Sequence, residues 1–107
     1  MRLRRLVYKS LATAEVVSNP MLRELEQQAV AANTQRDITG LLVLTGNVCV
    51  QVLEGDAREL TSLFSKIACD GRHRAVELLS VRAVDERLFK DWSMRAVDLY
   101  DLPSEKR

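Results

Sequence analysis

Three polar residues stand at positions where the surrounding pattern is apolar. Tyr8 alternates with Leu6 in a stretch typical of a β-strand, and Gln51 lies within a second, apolar strand pattern. Asn33 continues the apolar face of a helical pattern, four residues after Ala29. A buried polar group without a hydrogen-bond partner costs about 1–3 kcal/mol. A polar ligand between them would satisfy a phenol and two amides beside one core.

Each of the three residues also has an ordinary structural interpretation. A lone Gln in a strand commonly faces water at a sheet edge, and an Asn commonly ends a helix. A buried Tyr generally donates to a backbone carbonyl group. Taken alone, the pattern favours these interpretations over a ligand site.

The residues of common enzyme sites are scarce in this chain. His73 is the only histidine, no Ser or Cys stands in a recognisable nucleophile turn, and no glycine-rich phosphate loop is present. Cys49 and Cys69 lack the spacing of metal ligands, so we expect no metal site. The sequence therefore argues against an enzyme. If the protein is an enzyme after all, the alternative is a small ferredoxin-like hydrolase.

Length and composition predict one globular domain. The chain has 107 residues, of which 47% are hydrophobic and 29% charged, and its formal net charge is +1. No stretch resembles a membrane span or a signal peptide, and the small net charge gives no field for binding nucleic acid. We therefore expect a cytoplasmic protein that binds neither membranes nor nucleic acids.

The apolar periodicities predict seven elements in the order β-α-β-β-α-β-β. They cover Leu3–Ser10, about Pro20–Asn33, Ile38–Leu44, Val48–Leu53, a helix from Asp56 to about Asp70, Ala75–Val84, and about Trp92–Leu99. This order is typical of an α+β, ferredoxin-like fold, with two helices on one face of a mixed four- to five-stranded sheet. The two strand-helix-strand crossovers predict that some neighbouring strands are parallel.

The expected sheet has one face without helices, although its strands are apolar on both faces. We expect either a helix beyond Arg107 or a second copy of the protein to cover that face. Residues 1–100 form the predicted domain, and the polar residues 101–107 form a tail that frays.

Five segments, taken together, point to a known family. They are Arg4–Ser10, Asn33–Leu42, Gln51–Gly55, Asp70–His73 and Phe89–Met94. In order and approximate spacing they resemble the signature blocks of the BLUF family, the flavin-binding sensors of blue light. Five ordered blocks are more specific than any single motif.

The resemblance implies a flavin held between the two helices with its edge toward the sheet. The expected cofactor is FAD, with FMN or riboflavin also possible for the isolated domain. By position, Tyr8 would be the photochemical donor of an electron and a proton, and Gln51 would lie between Tyr8 and the flavin. Asn33 would hold the polar edge of the ring. Light would then rotate or tautomerise the Gln51 amide and change its hydrogen bonds.

The resemblance also assigns residues around the cofactor and along the output route. Those that match flavin-contacting positions are Lys66, Asp70, Arg72 and His73, although His73 also suits a surface turn. Trp92 and Met94 match a pair that exchanges near the flavin, and either of the two can face it. On the predicted last strand they share a face, and core packing is the alternative role.

Two residues depart from the family pattern. Ala32 stands where many members have a second polar residue beside Asn33, so one hydrogen bond to the flavin is lost. Cys49 replaces a common aromatic residue, which predicts looser packing near the chromophore and altered dark recovery. The main alternative function is a non-photoactive relative that serves as a protein-interaction module. The partner or effector that reads the signal is not specified by the sequence.

Overall fold

The structure is a computed structural model that describes residues 2–12, 19–71 and 73–99. The side chains of residues 19–22 and of His73 are not part of that description. The expectations for Arg72, for the His73 side chain and for a tail at 101–107 therefore lie outside the described residues.

The described chain folds into five strands and two helices in the predicted order. They are β1 (Leu3–Ala12), α1 (Asn19–Arg36), β2 (Thr39–Thr45), β3 (Val48–Asp56), α2 (Ala57–Ala68), β4 (His73–Ala83) and β5 (Arg95–Asp98). Neither helix is long and apolar enough to cross a membrane. The predicted α+β, ferredoxin-like architecture is confirmed.

The five strands form one mixed sheet in the order β4-β1-β3-β2-β5. β1 is antiparallel to both β3 and β4, β2 is antiparallel to β3, and β2 is parallel to β5. The expectation that the crossovers produce parallel neighbours is wrong. Each crossover joins two strands that have an antiparallel strand between them, and the parallel pair comes instead from β5 joining the β2 edge.

Local sequence explains where β2, β3 and α2 begin and end. Gly46 has a φ of 60° in the two-residue loop between β2 and β3, a backbone conformation that suits glycine in a tight hairpin. Asp56 caps α2, because its side chain accepts a hydrogen bond from the Arg58 amide at 3.0 Å. This hydrogen bond also lowers the pKa of the Asp56 carboxyl.

The last strand is shorter than the predicted range of Trp92–Leu99. The Trp92 amide donates to the Phe89 carbonyl at 3.0 Å, and the Trp92 carbonyl accepts from the Gly40 amide at 3.0 Å. Trp92 is therefore in a turn, and both it and Met94 precede β5. These two side chains therefore do not share the face of a strand, contrary to the prediction.

One face of the sheet carries the core, as the alternation in the first strand predicts. Its buried side chains include Leu6, Tyr8, Ile38, Leu42, Leu44, Cys49, Leu53, Leu60, Met94 and Ala96. Both helices pack against this cluster, α1 through Leu25 and Ala29 and α2 through Leu63, Phe64 and Ile67. On the opposite face the side chains of Val7, Leu41, Val43, Val50 and Val52 are only half-buried.

The connection from β4 to β5 runs from one edge of the sheet to the other, and Glu54 anchors it. Glu54 is fully buried, and its carboxylate accepts the Leu88 and Phe89 amides, both at 2.8 Å. Arg5 Nε contacts the same carboxylate at 2.9 Å. Arg87 adds hydrogen bonds to the Glu54 carbonyl at 3.1 Å and to Thr39 Oγ1 at 3.0 Å.

Gly40 provides a stability test of this crowded part of the sheet. A Cβ atom at residue 40 would lie 2.3 Å from the Val52 carbonyl oxygen and 3.3 Å from Met94 Cε. We expect Gly40→Ala to lower the free energy of unfolding by about 1–3 kcal/mol, measured by urea denaturation. Gly71→Ala is the matched control, because a Cβ at residue 71 meets nothing within 4 Å. Equal stabilities of the two variants would contradict the packing described for Gly40.

Candidate functional site

A cavity of about 260 Å³ opens between α1 and α2, above the core face of the sheet. Both helices, β2, β3 and the residue before β5 contribute to its wall. The lining residues are Leu25, Glu26, Gln28, Ala29, Ala32, Asn33, Leu42, Gln51, Leu63, Lys66, Ile67, Asp70 and Met94. A mainly apolar wall with a few converging polar groups is typical of a small-molecule site.

Tyr8 and Gln51 form a buried pair next to this cavity. The register of β1 and β3 places them directly opposite each other, and the Tyr8 hydroxyl donates to Gln51 Oε1. Tyr8 is fully buried and does not line the cavity, whereas Gln51 does. Phe64 of α2 packs edge-on against the Tyr8 ring, with 5.6 Å between ring centroids. Gln51 therefore stands between the phenol and the cavity.

The environment of Tyr8 keeps its hydroxyl protonated. Burial raises the pKa of the phenol well above its ordinary value, and the nearby Cys49 and Asp70 raise it further. The Tyr8 phenol is thus a donor to Gln51 at any pH near neutrality.

Gln51 and Asn33 leave hydrogen-bonding capacity toward the cavity. The Gln51 amide nitrogen contacts Met94 Sδ at 3.5 Å, and sulfur is a weak acceptor. Asn33 Nδ2 donates to the Ser93 carbonyl at 2.9 Å, but no donor among the described residues reaches Asn33 Oδ1. Asn33 is 2% exposed and Gln51 is 7% exposed. These buried amide groups therefore have capacity to pair with a polar ligand or with water in the cavity.

Charged residues from both helices stand in the wall of the same cavity. Lys66 and Asp70 lie one turn apart at the end of α2 and just beyond it, and Glu26 lies on α1. A lysine ammonium can bind anionic or acceptor groups of a ligand, and a carboxylate can accept hydrogen bonds from its donor groups. The structure therefore brings Asn33, Gln51, Lys66, Asp70 and Met94 onto one cavity.

Trp92 is not part of this cavity. Its side chain is 37% exposed and stacks on Phe89, with 5.6 Å between centroids and 21° between ring planes. The Arg95 guanidinium lies 5.3 Å from the Trp92 ring centroid. Met94, in contrast, is 6% exposed and lines the cavity. Of the predicted exchange pair, Met94 faces the cavity and Trp92 lies outside it.

The two positions that depart from the family pattern differ in their surroundings. Ala32 is exposed and lines the cavity, so it adds no polar group there. Cys49 is fully buried and lies opposite Ser10, whose side chain is hydrogen-bonded to it. Burial raises the pKa of the Cys49 thiol to about 11, and the thiol therefore remains neutral.

Glu54 is a buried anchor that the sequence pattern does not identify, although it lies within the Gln51–Gly55 segment. The available signal was a carboxylate within a strand of apolar residues, because a buried charge requires partners. Those partners lie far away in sequence, so the pattern around Glu54 does not identify them.

Comparisons with known proteins identify the family and the fold of the chain. Residues 3–95 match the family model described as BLUF, sensors of blue-light using FAD. The chain is 34% identical over 94 residues to photoactivated adenylate cyclase subunit beta of Euglena gracilis. The aligned region covers 87% of this chain and 11% of that protein. The chain thus spans about a tenth of the length of this curated relative.

Two solved structures show the same fold. BlrB, a BLUF protein in its dark state, has a TM-score of 0.84 and 31% identity, with 91% of this chain and 73% of that chain covered. BlrP1 of Klebsiella pneumoniae, solved with FMN and cyclic diGMP, has a TM-score of 0.86 and 35% identity. That match covers 96% of this chain and 27% of BlrP1.

The protonation state of Tyr8 can be measured directly. We expect the tyrosinate absorbance of the wild type minus that of Tyr8→Phe to stay flat through about pH 10, the ordinary range of a phenol. Because the folded-state pKa is raised, this group stabilises the fold below about pH 10 and the contribution is lost as the pH rises further. A difference titration centred near pH 10 would contradict the buried Tyr8–Gln51 pair.

Proposed function

The chain belongs to the BLUF family, the flavin-binding sensors of blue light, and we propose that Tyr8 and Gln51 carry its photochemistry. The observation that supports this most strongly is the buried hydrogen bond from the Tyr8 hydroxyl to Gln51 Oε1. Gln51 lies between the phenol and a mainly apolar cavity with several polar groups in its wall. The same amide therefore accepts from Tyr8 and faces the proposed ligand site.

The cavity residues fit a flavin ring. The polar edge of an isoalloxazine ring offers an imide N–H donor between carbonyl acceptors. Asn33 Oδ1 is a buried acceptor without a donor among the described residues, and the Gln51 amide nitrogen is a donor held only by Met94 Sδ. We propose that Asn33 and Gln51 hold this edge, and that Lys66 and Asp70 contact the ring or its side chain.

FAD is the proposed cofactor, in agreement with the family description. The cavity of about 260 Å³ is near the lower end of small-ligand pockets, roughly 300–1,000 Å³. A cavity of this size would suit the ring system, which is the part of the cofactor that absorbs light. FMN, which BlrP1 holds, and riboflavin share that ring, and we propose that the isolated chain accepts them as well.

Tyr8 acts as the donor in the proposed mechanism. When bound, a flavin absorbs blue light, and its excited ring is a strong electron acceptor. Tyr8 supplies the electron, and its oxidised phenol then becomes a strong acid. The proton leaves Tyr8 Oη along the existing hydrogen bond to Gln51 Oε1. Return of the electron and the proton restores the neutral phenol.

Gln51 converts this transfer into a lasting change. Its amide presents a donor at one end and an acceptor at the other. Rotation or tautomerisation of the amide therefore changes whether a donor or an acceptor faces Tyr8, and likewise for the cavity. The weak contact to Met94 Sδ at 3.5 Å opposes this exchange less than a strong oxygen acceptor would. The signalling state is then a different hydrogen-bond pattern around the same side chain.

An absorption spectrum tests the proposed function. We expect purified protein supplied with FAD to show oxidised-flavin bands that shift reversibly to the red under blue light. Tyr8→Phe retains the flavin and loses the shift, because it has no phenolic proton to transfer. Gln51→Leu also loses the shift, because leucine makes no hydrogen bond.

Gln27→Leu is the matched control for Gln51→Leu, because Gln27 is exposed on α1 and does not line the cavity. It should show the wild-type shift. A wild type that binds no flavin, or a normal shift in Tyr8→Phe, would contradict the proposal. Bound flavin without any light-induced shift would favour the alternative, a non-photoactive interaction module.

We further propose that a second copy of the chain covers the half-buried face of the sheet. Val7, Val52 and Leu41 form one cross-strand row there, and Val50 and Val43 belong to the next. Light scattering should then give a dimer mass, and Val50→Lys should shift it toward the monomer because a charge would be buried in the interface. A monomer mass for the wild type at every concentration would contradict this arrangement.

A further inference from the structure

Gln51 and Glu54 belong to the same strand but face opposite sides of the sheet. They are three residues apart on β3, and side chains in a strand alternate between faces. Gln51 points to the helix-covered cavity, whereas Glu54 lies beside Arg5 and Thr39 on the other face. One segment, residues 88–94, contacts both of these side chains.

Glu54 holds the first end of that segment. Its two carboxylate oxygens accept the Leu88 amide and the Phe89 amide, both at 2.8 Å. Its side chain has 0% exposure, and Arg5 neutralises its charge at 2.9 Å. The two backbone donors and the Arg5 guanidinium outweigh the cost of burial and lower the pKa of Glu54, so the carboxylate stays charged at neutral pH.

The other end of the segment reaches the cavity. Met94 Sδ is 3.5 Å from the Gln51 amide nitrogen, and the Ser93 carbonyl accepts from Asn33 at 2.9 Å. Between the two ends, the Phe89 ring stacks on Trp92. Gln51 thus contacts Met94, the backbone links Met94 to Trp92 two residues before it, Trp92 stacks on Phe89, and the Phe89 amide donates to Glu54.

We propose that Glu54 is a positioning residue for light signalling: it fixes residues 88–89, so that a change at Gln51 and Met94 moves Trp92 relative to a Phe89 ring that stays in place. This inference depends on the proposed function, because it needs a light-driven change at Gln51. While Glu54 holds residues 88–89, a displacement of Met94 shifts Trp92 relative to Phe89. Without Glu54, residues 88–89 move as well, and the displacement is lost in local disorder.

The single tryptophan of the chain makes this testable. Acrylamide quenching of Trp92 emission is measured on the flavin-loaded protein in the dark and under blue light, together with the flavin absorption shift. We expect illumination to change the quenching constant of the wild type. Glu54→Gln should keep the absorption shift, because Tyr8 and Gln51 are intact, and lose the light-dependent change in quenching.

Glu77→Gln is the matched control. Glu77 is also a strand glutamate, but its side chain is 60% exposed and its ion pair with Lys9 at 3.5 Å is on the surface. It should retain both responses, because an exposed pair contributes little. A purely structural Glu54 would leave the light-dependent quenching of a folded, flavin-loaded Glu54→Gln unchanged, and that result would overturn the proposal.

A second variant covers the case in which Glu54→Gln does not fold. Phe89→Leu removes the ring that stacks on Trp92 and leaves the Glu54 carboxylate and both amides in place. It should keep the absorption shift and lose the light-dependent quenching, and retention of that quenching would overturn the proposal. A wild type that shifts its absorption without any change at Trp92 would overturn it too. A wild type without an absorption shift would instead refute the proposed function.

Discussion

The direct pairing of Tyr8 with Gln51 across β1 and β3 is the constraint on which the site depends. Antiparallel register puts a phenol and an amide on the core face, side by side, where water does not compete for their hydrogen bond. A slip of one residue in this register would turn both side chains away from the core. The flanking strands and the packing of Phe64 on the Tyr8 ring keep the register and the ring orientation fixed.

β3 also connects this site with the far side of the sheet. The strand carries Gln51 on one face and Glu54 on the other, and the connection to β5 contacts both. Because β4 and β5 are at opposite edges, that connection must cross the end of the sheet. A fully buried carboxylate with two backbone donors and an arginine gives the crossing a fixed position. The segment that lines the cavity through Met94 therefore also carries the exposed Trp92 and ends at Glu54.

Local pattern predicted much of the fold, and the limits of that prediction have physical causes. The element order, the core face of β1 and the Asp56 cap follow from residues close in sequence, and the structure has all three. The strand neighbours do not follow, because a crossover helix fixes the direction of a returning strand but not the position where it inserts. The position of Trp92 was also missed, since its turn depends on the Gly40 amide, 52 residues away along the chain. For the site, alternation singled out Tyr8 and Gln51, whereas the partners of Glu54 are separated from it by 15 to 49 residues.

Isotope-edited infrared difference spectroscopy of the Gln51 side-chain amide tests the central claim most directly. The flavin-loaded protein, with its glutamine side-chain carbonyl isotopically labelled, is compared in the dark and under blue light, and Gln51→Leu identifies which bands belong to Gln51. The mechanism predicts a labelled carbonyl band that moves on illumination, returns in the dark and is absent from Gln51→Leu. A flavin absorption shift with no light-induced change in any band of Gln51 would contradict it.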